Sequence, residues 1–226
     1  MINYIPSIVI YKKLAYHTKK HTKNQYIGDP LNISKVLSDF DVDEISIVVK
    51  DEESIQVAKK IPLFTSRPVS ISGLPENFET YLAMISSGYD RIGINFNKYN
   101  PIFFEKILNE LGSSSLLVNI DLETKINNIS NDEIFVLKNC SEIILHDVEK
   151  SGSNSGLNFS FHRQNIDYIK SCKINTNISL EGGFNGSLNE INALNEIRAI
   201  YYATNYIYCS EERNGNPILI NPYERV

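Results

Sequence analysis

Eight short β-branched runs, set at near-uniform intervals and separated by helical patterns, constrain this chain more than any other feature. The runs are Tyr4–Ile10, Glu44–Val49, Pro68–Ser72, Arg91–Asn95, Leu116–Asp121, Glu142–Asp147, Asn177–Glu181 and Ala199–Thr204. Between them the apolar spacing turns helical over Leu31–Phe40, Glu53–Lys60, Phe78–Ser87, Pro101–Leu111, Asp132–Asn139, Arg163–Ser171 and Leu188–Glu196. Boundary residues agree: Asp29 caps a helix with Pro30 in its first turn, Asn100 precedes Pro101, and Gly112 stops the fourth helix. Uninterrupted alternation favours a closed parallel barrel over an open sheet, because nothing marks a point where strand order reverses. The expected fold is an α/β (βα)8 TIM barrel, a single domain over residues 1–226. The first and fifth strands start about half a chain apart, as in a duplicated half-barrel. After Thr204 the pattern fails. Tyr206-Ile207-Tyr208 and Pro217-Ile218-Leu219-Ile220 flank a polar turn at Asn214-Gly215, so two extended segments are expected in place of the last helix.

Composition narrows the class of partner. A net charge of −5 with scattered lysines argues against nucleic acid. No apolar run reaches a membrane span, and Met1-Ile2-Asn3-Tyr4-Ile5-Pro6 has no signal-peptide pattern, so a cytoplasmic protein is expected. Cys140, Cys172 and Cys209 are odd in number and lack metal-type spacing, which makes them packing residues. The one basic run, Lys12-Lys13 through Lys19-Lys20 and Lys23, reads as a mobile loop able to meet an anionic ligand. His17 and His21 in that loop are four apart, a metal-compatible spacing on a helix, but no third ligand is evident and no metal is expected. Phosphate-loop, dinucleotide and nucleophile-elbow motifs are absent, so no cofactor is expected.

In a barrel of this kind the ligand lies at the carboxyl ends of the strands. Strand three ends in Ser72-Gly73, strand four in Asn95, strand seven in Glu181-Gly182-Gly183 and strand eight in Ala203-Thr204. Small residues there let backbone N–H groups approach an anion, or simply turn strand into helix. Asp121 ends an apolar strand at the barrel mouth, where a carboxylate serves as general acid or base, or caps the next loop. The first strand carries Val9 where an equivalent acid would sit. His146-Asp147, Glu149 and Lys150 after strand six offer a second acid–base set, with a solvated loop the preferred reading of Glu149 and Lys150. At the opposite ends, Glu44, Asp90-Arg91 and Glu142 gather at the amino-terminal face, either as a salt-bridged ring closing the core or as a gate.

Several blocks, taken in order, resemble the cyclase subunit of imidazole glycerol phosphate synthase. They are Tyr4-Ile5-Pro6, Tyr26-Ile27-Gly28-Asp29-Pro30, Val42-Asp43-Glu44-Ile45, Gly88 to Asn95, Val118-Asn119-Ile120-Asp121, Ser141-Glu142-Ile143-Ile144, Ser151 to Gly156 and Glu181-Gly182-Gly183. The resemblance implies a (βα)8 barrel that takes ammonia from a glutaminase docked on its amino-terminal face and passes it to a phosphorylated substrate at the other end. It implies a gate of Glu44, Arg91 and Glu142, with Asn3 in place of an arginine, and Asp90 at the partner interface. It implies Asp121 as one of two catalytic aspartates, with Val9 in place of the other, His17 in place of a first-loop lysine and Ser151 in place of an aspartate after strand six. Gly73 and Asn95 would serve one phosphate site, and Gly152, Gly182, Gly183 and Thr204 the other. The segment from Leu122 to Asn131 is shorter than the family's corresponding loop. The block Tyr26 to Asn32 and the tail Asn216 to Tyr223 are similar to relatives associated with surface-polysaccharide synthesis, which implies a sugar or small anionic substrate. A non-catalytic barrel that activates a glutaminase, and a two-aspartate sugar-phosphate isomerase, are the competing readings. The isomerase also needs the acid that Val9 lacks.

Overall fold

The computed structural model describes residues 2–19, 23–40, 42–123, 126–153, 155–185, 197–203, 208–213 and 216–220, with 23–24 and the last two segments described by backbone alone. The chain runs β1 (Asn3–Tyr11), β2 (Leu14–Lys19), β3 (Lys23–Gly28), α1 (Pro30–Ser38), β4 (Ile45–Val49), α2 (Ile55–Ala58), β5 (Val69–Ser72) and α3 (Phe78–Ser86). It continues through β6 (Arg91–Asn95), α4 (Pro101–Leu111), β7 (Leu116–Leu122), α5 (Asn131–Lys138), β8 (Glu142–Asp147), α6 (Phe159–Ser171), β9 (Asn177–Glu181) and β10 (Ala199–Ala203). Eight parallel strands, β1 and β4 to β10, close into a barrel through the β10–β1 pairing, with Ser7 opposite Ala203 on one side and Ser46 on the other. The expected (βα)8 fold is thus present, with extended structure after the eighth strand: β11 (Tyr208–Arg213) and β12 (Asn216–Ile220) pair antiparallel. The turn at Asn214-Gly215 and the expected helix Leu188–Glu196 lie outside the described residues.

Strand periodicity divides the side chains between two compartments. Ile8, Ile10, Ile45, Ile47, Ile92, Val118, Ile143 and Leu180 point outward into the layer packed by the helices and are almost wholly buried. Burying each such side chain contributes roughly 1.5–3 kcal/mol. The alternate residues face the lumen. Ile5, Leu117, Ile144, Ala199 and Tyr201 form a separate small cluster there. Polar Ser7, Ser46, Ser70 and Ser179 are buried beside them.

The helices begin where their caps dictate. Asp29 accepts from the Leu31 amide at 2.9 Å, and Asn100 accepts from Ile102 and Phe103. Ser130 and Glu133 form a reciprocal capping box at α5. Gly112 takes φ +77° at the end of α4, a conformation glycine adopts without steric cost.

Two expectations need correction. The basic run is a hairpin, not a loop: β2 pairs antiparallel with both β1 and β3. Ala15 and Thr18, on opposite faces of β2, are buried while Leu14 and Lys19 at its ends are exposed, and Tyr16 meets Tyr11 and Tyr26 edge-on. The helix expected over Glu53–Lys60 shrinks to one α-turn, Ile55–Ala58, between 3-10 turns at Glu52–Ser54 and Ile61–Phe64. Pro62 lies in the second turn, where it bars helical continuation.

Candidate active site

The amino-terminal end of the lumen is closed by charge. Arg91, at the start of β6, donates to Glu44 just before β4 and to Glu142 at the start of β8. All three are buried, Glu142 completely. Burial raises the Glu44 carboxyl above the usual carboxylate range, against the pull of Arg91. Burial also works against the Arg91 charge, but Tyr201, Glu44 and Glu142 outweigh it and hold the guanidinium more firmly protonated. The Tyr201 hydroxyl donates to Glu142 at 3.2 Å and accepts from Arg91 at 3.3 Å. Arg198, immediately before β10, completes the set by donating to Glu142 at 2.7 Å. Asn3 brings no charge; its amide donates to the Arg198 carbonyl at 2.9 Å, which fixes the backbone that carries that arginine. Asp90 is exposed at this face, with its carboxylate accepting from the Val69 amide at 2.8 Å.

At the carboxyl end, Lys50, Ser72, Gly73, Asn95, Asp121 and His146 line a cleft of about 130 Å³ together with Val9, Thr18, Ser151 and Glu181. Lumen-facing parity places them: Asn119 and Asp121 on β7, Ile144 and His146 on β8, Ser179 and Glu181 on β9. Asp121 Oδ1 meets His146 Nδ1 at 2.8 Å, and Asn95 donates to Asp121 Oδ2 at 3.0 Å. Asn97 clamps the backbone of the same residue, accepting from its N–H at 2.9 Å and donating to its carbonyl at 3.2 Å. His146 is buried, whereas the Asp121 side chain is 39% exposed, so the carboxylate is the member of the pair that faces a ligand. Burial opposes protonation of His146, yet Glu181 and Asp121 outweigh it and raise its pKa above the usual histidine value. Desolvation lowers the Lys50 ammonium below the ordinary lysine range, against the attraction of Glu181 and Asp121. A carboxylate held by an imidazole on one oxygen and an amide on the other is an arrangement able to take part in proton transfer.

The anticipated residues do not all converge. Gly73 and Asn95 share the cleft with Asp121. Gly152, Gly182 and Gly183 instead line a smaller neighbouring cavity. Each of these three glycines, like Gly73, has positive φ, and a Cβ would press on a backbone carbonyl oxygen of Thr18, Asp147, Gly156 or Val49, respectively for Gly152, Gly182, Gly183 and Gly73. Close packing of loops therefore accounts for glycine at these positions. Thr204 and His21 lie outside the described residues. His17 sits on β2, against Gly152, and is not among the residues lining the Asp121 cleft; its neighbour Thr18 is, because alternate strand residues face opposite ways. A strand also removes the helical spacing on which a His17–His21 metal pair depended.

Sequence reasoning missed Arg198, Lys50 and the part played by Glu181, and left His146 as one of several candidates. Parity held the signal. Counting in twos back from Asp121 gives the lumen face of β7, and the same step applied to Glu142 reaches His146 and to Asn177 reaches Glu181.

The fold is a (βα)8 barrel with a charged ring at one end and an Asp–His pair at the other. Residues 5–204 match the family described as "Histidine biosynthesis protein", and the chain belongs to that family. It is 28% identical over 101 residues to the imidazole glycerol phosphate synthase subunit HisF of Thermotoga sp. (strain RQ2), a stretch covering 42% of this chain and 40% of that protein. It is 26% identical over 183 residues to the imidazole glycerol phosphate synthase subunit HisF of Helicobacter hepaticus, covering 70% of each. The matched stretches thus span from about two-fifths to seven-tenths of these relatives. Among the described residues, no helix is long and apolar enough to cross a membrane.

Proposed function

We propose that this barrel is the synthase-type subunit of a glutamine-dependent complex. A glutaminase docks on the amino-terminal face, and the lumen delivers ammonia to a small anionic or sugar substrate in the cleft, with Asp121 as the acid–base residue and His146 orienting it. The pathway is surface-polysaccharide rather than histidine biosynthesis. The observation that carries this reading is the arrangement along one axis: a buried ring of Glu44, Arg91 and Glu142 with the partly exposed Arg198 on it, a lumen containing buried serines, then the Asp121–His146 pair. Purely structural closure of a barrel calls for branched apolar side chains in the lumen. Lysine, asparagine and histidine at the cleft suit an anionic or hydroxylated ligand. The decisive experiment mixes the purified barrel with a candidate glutaminase partner and measures glutamine hydrolysis. Stimulation is expected, and its absence with a correctly folded pair sinks the proposal.

The alternative is a barrel that activates the glutaminase while another protein performs the transfer. Val9 favours it, because a valine cannot carry the proton that a second acid would. Asp121→Asn separates the two: product formation is abolished if the barrel is the catalyst and unchanged if it is only an activator.

A further inference from the structure

The β2–β3 hairpin continues the wall of the lumen past the end of β1, and the face it turns to the mouth is aromatic. Val9, which lines the cleft, pairs with Tyr16, and Tyr16 pairs with Tyr26, so the register sets all three on one face. Tyr11, two residues beyond Val9, shares it. The rings form a row, with Tyr11 and Tyr16 centred 6.0 Å apart and Tyr16 and Tyr26 6.1 Å apart. The Lys12 ammonium lies 5.3 Å from the centre of Tyr11, whereas Tyr26 is 58% exposed and offers its ring to solvent. Lys19, next to Thr18, falls on the opposite face of β2.

Tyr16 joins this row to a cavity at the carboxyl mouth. Ser7, Thr18, Ser151 and Glu181 line that cavity with it, and Thr18, Ser151 and Glu181 also line the Asp121 cleft, so the two spaces adjoin. Ser7 is only 4% exposed, and its Oγ has no hydrogen-bond partner among the described residues, although a buried hydroxyl is normally satisfied. Among the described lining residues there is no lysine, arginine or histidine. One carboxylate and several hydroxyls without a cation suit an uncharged, hydroxylated ligand better than a phosphate. A pyranose ring answers both features: its C–H face packs on aromatic carbon, and its hydroxyls donate to a carboxylate and exchange hydrogen bonds with serine and threonine.

We propose that the carboxyl mouth binds the pyranose ring of a sugar substrate, with its C–H face against the Tyr16–Tyr26 row and its hydroxyls bonded to Glu181 and to the serine and threonine hydroxyls of the cavity. The inference rests on the reading of this end of the barrel as the substrate end, and it narrows that substrate from an anion or a sugar to a sugar. The hairpin then supplies specificity, while Asp121 in the adjoining cleft faces the bound ring.

The test is an NMR titration of the full chain, isotopically labelled in its tyrosine rings. Methyl glycosides of glucose, galactose and N-acetylglucosamine are the probes, and inorganic phosphate is titrated separately. At least one glycoside is expected to shift the Tyr16 and Tyr26 ring signals, with phosphate leaving them in place. Affinity for it should fall about three- to tenfold in Tyr16→Ala, stay within about twofold in Tyr16→Phe, and fall at least about tenfold in Glu181→Gln. The titration of the parent decides the matter even if Tyr16→Ala loosens the hairpin, and Tyr26→Ala, a change at an exposed ring, weakens binding in the same direction. No shift with any of the glycosides, equal shifts with phosphate, or equal losses in Tyr16→Phe and Tyr16→Ala overturns the proposal. Glutaminase stimulation is measured apart. Stimulation without glycoside binding overturns the sugar site alone, whereas glycoside binding without stimulation overturns ammonia delivery and upholds the sugar site.

Discussion

The two ends of the barrel hold their charges in opposite ways. At the amino-terminal end Arg91, Glu44 and Glu142 are sealed among one another, each below about a tenth exposed. At the carboxyl end Asp121 is paired with His146 yet still 39% exposed. Charges buried together hold one another in place; an open carboxylate on a buried imidazole can exchange protons with a ligand. Both ends share a substitution pattern. β1 carries Asn3 and Val9 where the resembled cyclases carry charged residues, and in each case charge reaches the same level from another strand: Arg198 from the start of β10, Glu181 from the end of β9. A barrel is rotationally forgiving in this respect, because every strand sends a side chain to each layer of the lumen.

The largest effect that tests this contrast is Arg91→Met. It strands the buried Glu44 without its ion-pair partner, while Glu142 keeps Arg198 and Tyr201, and an uncompensated buried charge costs about 3–5 kcal/mol. Urea denaturation at neutral pH reads that loss. If Arg91→Met is no more damaging than a change at the carboxyl end, the distinction between a sealing ring and a working site collapses.

The next effect lies behind the barrel wall. His162 on α6 is fully buried, and burial together with the charge of His146 pushes its pKa down to about 4. Its folded pKa lies below its unfolded value, so its contribution is fully present above about pH 6.5 and is lost as pH falls through about 4. Two to three units of depression correspond to roughly 3 kcal/mol. Denaturation midpoints of the parent and His162→Leu between pH 7 and pH 4 should converge on acidification, with the variant falling less steeply. Equal slopes would place the acid sensitivity at one of the two charged ends instead.

Gly152→Ala acts on the carboxyl end alone. The added Cβ would lie 2.0 Å from the Thr18 carbonyl oxygen, at φ +62°, so the β2–β3 hairpin must lift from the loop after β8. A cost of about 1–3 kcal/mol is expected, as for other strained backbone positions. Faster proteolytic cleavage within the hairpin should accompany it, while the ring, probed by protection of the amides around Arg91, stays as it was.

Much of this arrangement is legible in the sequence, for a physical reason. Strand runs such as Arg91–Asn95, Glu142–Asp147 and Asn177–Glu181 emerge with the bounds read from the chain, because short runs with β-branched residues, buried almost continuously, leave few alternatives. The β2–β3 hairpin was harder: polar residues dominate its composition, and the burial of Ala15 and Thr18, three residues apart, makes no period-two signal. The ring was recognisable from Glu44, Arg91 and Glu142, but Arg198 precedes its strand and belongs to no motif. The Asp121–His146 contact joins residues on adjacent strands, and only the β7–β8 register, which sets Asp121 opposite His146, brings them together.

The smallest effect is the most informative about the working site. Asp121→Asn keeps an oxygen to accept from Asn95 but removes the charge beside His146. Burial then acts against the imidazolium with only Glu181 opposing it, Lys50 and His162 adding no attraction, so the His146 pKa should fall. In the parent the folded pKa is raised, and the pair therefore stabilises the fold fully below about pH 6.5 and loses that contribution as pH rises through the folded value. With Asp121 partly exposed, screening holds the difference to about 1 kcal/mol or less. The stabilities of parent and variant should accordingly differ near pH 6 and coincide in mild alkali, while an NMR titration of the His146 ring shows the shift directly. A ring that titrates identically in both proteins would mean that Asp121 does not govern the imidazole, and that the open end of the barrel is as structural as the sealed one.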